Sequence, residues 1–175
     1  MDKRTLRTRL RAIRSAFPPE SFPVPLAFMA HLHPGRIVAT YAPLPGEPDP
    51  APLAKAATAA GCTLALPHVV DRATPLRFLA WKGEDLAPGP FGLAVPHPHW
   101  AEVAPDIVLT PLVGFDRRGN RLGQGAGHYD RAFAAYPAAW RVGVAWSVQE
   151  VAALEPDPWD MSLHAIATEK EWITV

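Results

Sequence analysis

Leu6, Leu10, Ile13 and Phe17 recur at spacings of four, three and four residues near the start of the chain. At about 100° per residue these positions form one narrow apolar stripe, which predicts an amphipathic helix docked along that stripe. Pro18 and Pro19 end it. A second helix is predicted from Glu20 to about His31, with Pro23 and Pro25 blurring its start. Beyond it the pattern changes to short, continuous apolar runs: 36–42 (RIVATYA), 62–67 (CTLALP), 76–81 (LRFLAW), 106–115 (DIVLTPLVGF), 140–146 (WRVGVAW), 163–168 (LHAIAT) and the closing EWITV. Each reads as a strand, and 106–115, the longest, as a central one. Residues 51–60 are alanine-rich and helical, with Gly61 as a stop, and 128–136 (HYDRAFAAY) read as a further helix. Strands that alternate with helices, and are apolar throughout, indicate a sheet covered on both faces. The expected fold is α/β: three layers, α/β/α, with a mostly parallel central sheet, Rossmann-like. No repeat, low-complexity tail or long linker divides the chain, so residues 1–175 are expected to form a single domain.

Composition narrows function more than fold. With 49% hydrophobic residues in 175, the chain can bury a sizeable core. Its formal net charge is zero, so no overall field draws it to nucleic acid or a membrane surface. No apolar run approaches the ~18 residues of a membrane span. A single cysteine, Cys62, excludes an intrachain disulfide and agrees with a reducing, cytoplasmic setting. Cys62 itself reads as a small core residue. The 21 prolines imply short elements and many rigid connections, among them residues 43–50 (PLPGEPDP), which must be a loop. The Arg-rich N-terminus has the composition of a mitochondrial presequence but no evident cleavage site, and a working helix is the preferred reading. His31 with His33 and His97 with His99 have the spacing of a zinc pair, but no matching third and fourth ligands accompany them, so they read as loop histidines.

The candidate chemistry lies in residues 121–133 (RLGQGAGHYDRAF). Gly123, Gly125 and Gly127 would let backbone N–H groups turn toward one point, just where a helix begins and its free N–H groups attract anions. Arg121 adds a charged fork, and Asp130 could bind a magnesium ion that bridges phosphates. A structural glycine turn with Asp130 as a first-turn residue is the bland alternative. Against it stand the cations of the first helix. Lys3, Arg7 and Arg14 fall together on one flank of the stripe that must dock, which suits a nucleotide's phosphates.

Three stretches, KRTLRTRLRAIR, YAPLPGEPDP and DIVLTPLVGFDRRGNRLGQGAGHYDRAF, lie in this order along nearly the whole chain. Together they resemble the 5-formyltetrahydrofolate cyclo-ligase (methenyltetrahydrofolate synthetase) family. The resemblance implies a ligase of one-carbon metabolism that converts 5-formyltetrahydrofolate and ATP to 5,10-methenyltetrahydrofolate, ADP and phosphate. The formyl oxygen would take the γ-phosphoryl group, the neighbouring folate nitrogen would attack the activated carbon, and phosphate would leave. By the same resemblance ATP would be held by Lys3, Arg4, Thr5, Leu6 and Arg7, and by Arg121, Leu122, Gly123, Gln124, Gly125, Ala126, Gly127, His128 and Tyr129. Arg121 and Tyr129 would serve catalysis. Folate would contact Glu47, Phe91, Gln124, Gly125, Ala126, Gly127 and His128. Asp130 and Asp160 would hold Mg2+. The implied protein is a cytoplasmic monomer acting on small molecules, with no nucleic-acid or membrane partner.

The chain departs from the family's pattern at Ala126 and His128, which replace a glycine and a tyrosine, and at VPHPH, which replaces a Glu-Pro. It departs again at His164, where a second aspartate is usual. These departures keep open a diverged member that binds folate or nucleotide with little turnover. RNA binding through the basic helix is a third reading, disfavoured by the zero net charge. Imidazole suits softer metals than magnesium, so the expectation is that Asp130 carries the ion and His164 does not touch it.

Overall fold

A computed structural model describes residues 2–18, 21–89 and 94–175. Phe91 lies outside these residues. The helices are α1 (Lys3–Ala16), α2 (Leu26–Met29), α3 (Ala51–Ala59) and α4 (His128–Ala135). The strands are β1 (Ile37–Ala39), β2 (Thr63–His68), β3 (Arg77–Trp81), β4 (Ala87–Pro88), β5 (Ala94–Val95), β6 (Ile107–Pro111), β7 (Gly114–Phe115), β8 (Arg121–Leu122), β9 (Trp140–Val144), β10 (Ala165–Ala167) and β11 (Trp172–Thr174). Seven of them make the main sheet in the order β11-β10-β9-β6-β1-β2-β3. The pairs β1–β2, β1–β6, β6–β9 and β9–β10 are parallel, and the edge pairs β2–β3 and β10–β11 are antiparallel.

Successive residues of the central strands enter two separate apolar clusters, which is why their sequences are apolar throughout. Val38, Ile107 and Leu109 face a cluster with Phe28 of α2 and Leu53 of α3. Ala39 and Val108 face another, with Phe133 of α4. The three-layer, mostly parallel α/β expectation therefore holds.

α1 forms where the stripe predicts. Asp2 caps it, its carboxylate accepting from the N–H groups of Arg4 and Thr5 at 2.9 and 3.0 Å. Leu6, Leu10 and Ile13 pack with Val113, Leu122 and Leu154, while Phe17 reaches Trp146, with ring centroids 5.3 Å apart. The stripe thus docks α1 on the β7–β8 hairpin, beside the glycine loop.

Two expectations need correction. Of the helix expected from Glu20 to His31, Glu20 lies outside the described residues, and among the rest only the four residues of α2 are helical. Pro25 stands at its N-cap, and each proline restricts the residue before it to extended backbone. The run 106–115 is not one strand. β6 stops at Pro111, and Gly114–Phe115 pairs back with Arg121–Leu122 in a separate hairpin. Periodicity does not show that break, because residues 107–110 of β6 and both residues of β7 are alike buried.

Candidate active site

The sheet reverses its winding between β1 and β6: the chain proceeds outward from β6 through β9 and β10, and outward from β1 through β2 and β3. Loops leaving the carboxyl ends of strands at such a switch point diverge and leave a crevice. A cavity of about 400 Å³ lies at these strand ends, with Pro67 at the end of β2 and Pro111 at the end of β6 on its wall. Lys3, Arg7, Arg121, residues 122–127, His128, Tyr129, Asp130 and Asp160 also line it. Residues from both ends of the chain are thereby brought to one place. Arg4 and Thr5 are exposed and off this wall, and Leu6 is turned into the hairpin cluster.

Of the three loop glycines, Gly125 and Gly127 take positive φ, 111° and 68°, a region L side chains rarely adopt. Gly127 is the N-cap of α4, so the helix begins on the cavity wall with its first N–H groups unspent. The loop is fastened to α1. Arg7 Nε donates to the Gly123 carbonyl at 2.8 Å, and Arg11 Nη2 donates to Gln124 Oε1 at 2.7 Å. Gln124 Nε2 in turn donates to Glu47 Oε1 at 3.3 Å, and Arg14 Nη1 reaches the same oxygen at 3.1 Å.

Glu47 is not on the cavity wall; it sits behind Gln124, and its other oxygen accepts from the Leu44 N–H at 2.9 Å. A carboxylate offers about four acceptor positions. Three are used, so a ligand pairing two N–H groups with Glu47 must displace Gln124.

Apart from Arg7, the Lys, Arg and Asp side chains of the cavity are paired with each other. Arg121, whose side chain is 5% exposed, is bonded to Asp130. Lys3 Nζ lies 2.6 Å from Asp157 and 3.1 Å from Asp160. Asp130 and Asp160 are hard oxygen donors on one wall, as magnesium requires. An ion held by two carboxylates would complete its shell with phosphate oxygens and water. No group of three metal-binding side chains occurs among the described residues. Two carboxylates on one wall are a donor set that would suit a magnesium ion brought in with a polyphosphate.

A family model described as the 5-formyltetrahydrofolate cyclo-ligase family matches residues 1–169. The chain belongs to that family. A 5-formyltetrahydrofolate cyclo-ligase from Mycolicibacterium smegmatis is 30% identical over 148 residues, 79% of this chain and 76% of the relative. The NMR structure of 5,10-methenyltetrahydrofolate synthetase from Aquifex aeolicus superposes with a TM-score of 0.77 at 27% identity, covering 99% of this chain and 93% of that one. A synthetase structure from Mycoplasma pneumoniae, at 22% identity and a TM-score of 0.68, shares the fold.

The places where this cyclo-ligase family member departs from its relatives' pattern now have a location. His164 is not on the cavity wall. Its Nδ1 accepts from the Arg141 N–H at 3.0 Å, and Arg141 Nη2 lies 3.0 Å from its Nε2. Burial, then the Arg141 charge, lower its pKa, so the ring is neutral near pH 7. His128 is on the wall, and burial followed by Arg131 and Arg72 lowers its pKa as well. The loop therefore gains no cation from it at neutral pH. Burial first, and then the Glu47 charge, push the Tyr129 phenol well above its ordinary range, leaving it a hydrogen-bond donor rather than a phenolate.

Two supporting residues, Arg11 and Asp116, escaped the sequence reading. Arg11 continues the row of Lys3 and Arg7 at i+4 spacing, a signal that was present. Asp157 belongs to the proline-rigid acidic turn 157–160, which reads equally as structural or metal-binding, and it shares Lys3 with Asp160. Asp116, wholly buried, accepts from the N–H groups of Arg118, Asn120 and Leu154 and from the Asn120 side chain, at 2.8–3.1 Å. It shapes the turn before Arg121 and ties that turn to the segment leading to Asp157. Burial alone would raise its pKa, but these donors, the Asn120 side chain foremost, bring it below the ordinary aspartate value. A depressed pKa means stability that is full above the ordinary value and lost as pH falls through the lowered one. Asp116→Ala leaves several donors unpaired and should cost at least ~3 kcal/mol. Urea unfolding checks this, and the difference from wild type should shrink in acid; a variant with an unchanged midpoint at pH 7 contradicts the role.

Proposed function

We propose that the chain closes 5-formyltetrahydrofolate to 5,10-methenyltetrahydrofolate at the expense of ATP, as a cytoplasmic monomer. The observation that carries the reading is the convergence of α1's cations, the 123–127 loop, the start of α4 and two carboxylates on one cavity, in a chain of this family. Phosphoryl transfer depends on positioning and charge neutralisation more than on covalent participation by the protein. The N–H groups of the loop and of α4 receive the phosphates, with Lys3, Arg7 and Arg121 supplying positive charge. A magnesium ion, held through Asp130 and Asp160, would neutralise the charge that develops on the phosphate oxygens.

Glu47 and Gln124 orient the pterin so that the formyl oxygen lies in line with the γ-phosphorus. That oxygen displaces ADP, the neighbouring folate nitrogen attacks the activated carbon, and the C–O bond breaks as phosphate leaves. Tyr129, protonated, donates to an oxygen of the reacting groups, and Arg121 follows the migrating charge.

Mixing the protein with 5-formyltetrahydrofolate, ATP and magnesium should generate the methenyl chromophore, with one phosphate released per ring closed. Binding of both substrates without turnover would identify a diverged binding protein instead. Lys3→Met should raise the Michaelis constant for ATP and leave that for folate nearly unchanged. Equal effects on both substrates would remove Lys3 from the phosphate site.

A further inference from the structure

Trp159 is the one exposed tryptophan or phenylalanine among the described residues, with 70% of its surface accessible. An indole ordinarily buries most of its apolar area. This one is nonetheless held firmly. It sits in a turn closed by the Asp160 N–H on the Asp157 carbonyl at 2.9 Å and by the Asp157 N–H on Asp160 Oδ2 at 2.8 Å. Pro156 and Pro158 stiffen the backbone on either side of Asp157. Lys3 fastens the turn to the start of α1 through both carboxylates. A rigid turn thus presents a flat apolar ring on the wall of the nucleotide cavity. Val69, the other exposed large apolar side chain on that wall, comes from beyond the end of β2.

We infer that Trp159 is the platform on which the purine base of the nucleotide stacks; this rests on the reading of residues 121–130 as the phosphate site. Two flat rings compete for it, the base and the pterin. The turn is tied to Lys3, whereas Glu47 is tied to Arg14, eleven residues further along α1. At a rise of 1.5 Å per residue the two anchors are roughly 16 Å apart. A pterin oriented by Glu47 therefore lies at the other end of the site, and the ring beside the phosphates is the base. Stacking uses the π-face that every base has, so Trp159 contributes affinity without selecting among purines.

The test measures equilibrium binding, with magnesium, of the non-hydrolysable ATP analogue AMP-PNP, of inorganic tripolyphosphate and of 5-formyltetrahydrofolate. The proteins are wild type, Trp159→Ala and Trp159→Phe. Trp159→Ala should weaken AMP-PNP roughly tenfold and leave tripolyphosphate and folate unchanged, while Trp159→Phe should stay within about threefold of wild type. Unchanged AMP-PNP affinity in Trp159→Ala overturns the platform. So does an equal loss for tripolyphosphate, which would mean that the turn itself had failed, and so does a loss confined to folate. Should wild type bind neither phosphate probe, the phosphate site falls and the platform with it. Should it bind tripolyphosphate while the variants bind AMP-PNP as wild type does, the platform alone falls.

Discussion

Glu47→Gln is expected to destabilise the protein by about 3–5 kcal/mol. The side chains of Arg14 and Glu47 are 6% and 3% exposed, and each is the other's only ion-pair partner among the described residues. Removing one charge leaves the other buried and uncompensated, a much larger loss than the net value of the pair. Burial raises the Glu47 pKa, against the opposing effects of the Leu44 N–H and Arg14. A raised acid pKa means that this group's contribution to stability is full below the ordinary glutamate range and is lost as pH rises through the raised value. Ionised Glu47 is thus itself costly, and Arg14 is what makes the charge tolerable.

Replacing both partners, as Arg14→Met with Glu47→Leu, should recover most of the stability lost in Glu47→Gln. The stable double variant then isolates the ligand role, since a pterin that pairs with Glu47 should lose on the order of 1.5–3 kcal/mol of affinity. Urea midpoints and folate calorimetry on the three proteins decide both points. A wild-type midpoint for Glu47→Gln rules out the uncompensated-charge argument, and full folate affinity in the double variant removes Glu47 from the pterin.

Asp130→Asn should lower turnover by roughly a hundred- to a thousandfold, the usual scale for deleting one preorganised charge-stabilising group. Metal-free ATP should respond in the opposite direction and bind more tightly. In the resting protein Arg121 is committed to Asp130, and Lys3 to Asp157 and Asp160. If the proposed site is right, magnesium ATP would exchange partners with these pairs, the carboxylates holding the metal and the cations the phosphates. Either component alone must break an ion pair and leave a charge behind. The amide in Asp130→Asn would free Arg121 for phosphate and remove a carboxylate proposed to hold the metal. Titrating ATP with and without magnesium into both proteins gives the coupling directly. Equal coupling in the two would show that Asp130 is not part of the metal's site.

What was legible in the sequence is what is local. The α1 stripe and the glycine loop opening α4 are each decided by neighbouring residues, and each lies where the spacing places it. The loop's role needed the family resemblance as well, since glycines alone also make ordinary turns. What was not legible depends on distant partners or on backbone chemistry that overrides a pattern. Pro25 sets the start of α2 at Leu26, later than expected. Pro111 closes β6 within a run that remains apolar to Phe115. Asp157 and Lys3 meet across 154 positions, and nothing local to either announces the other. His164 illustrates the reverse case: its identity predicted that it would not hold magnesium, but only the fold reveals Arg141 as its partner.

The Lys3 contact with the Asp157–Asp160 turn also bears on the order of events during synthesis. Helix α1 is made before the elements that cover it: its apolar stripe docks on residues 113–122 and 154, and Lys3 on residues 157 and 160. At the 5–20 residues per second typical of translation, the helix waits roughly 8–30 seconds for its last partners. During that interval its buried Arg14 and its leucines lack the partners that cover them in the folded protein. Nucleotide affinity should accordingly be absent from ribosome-stalled chains until residue 160 has emerged from the exit tunnel, and should then arise in a single step.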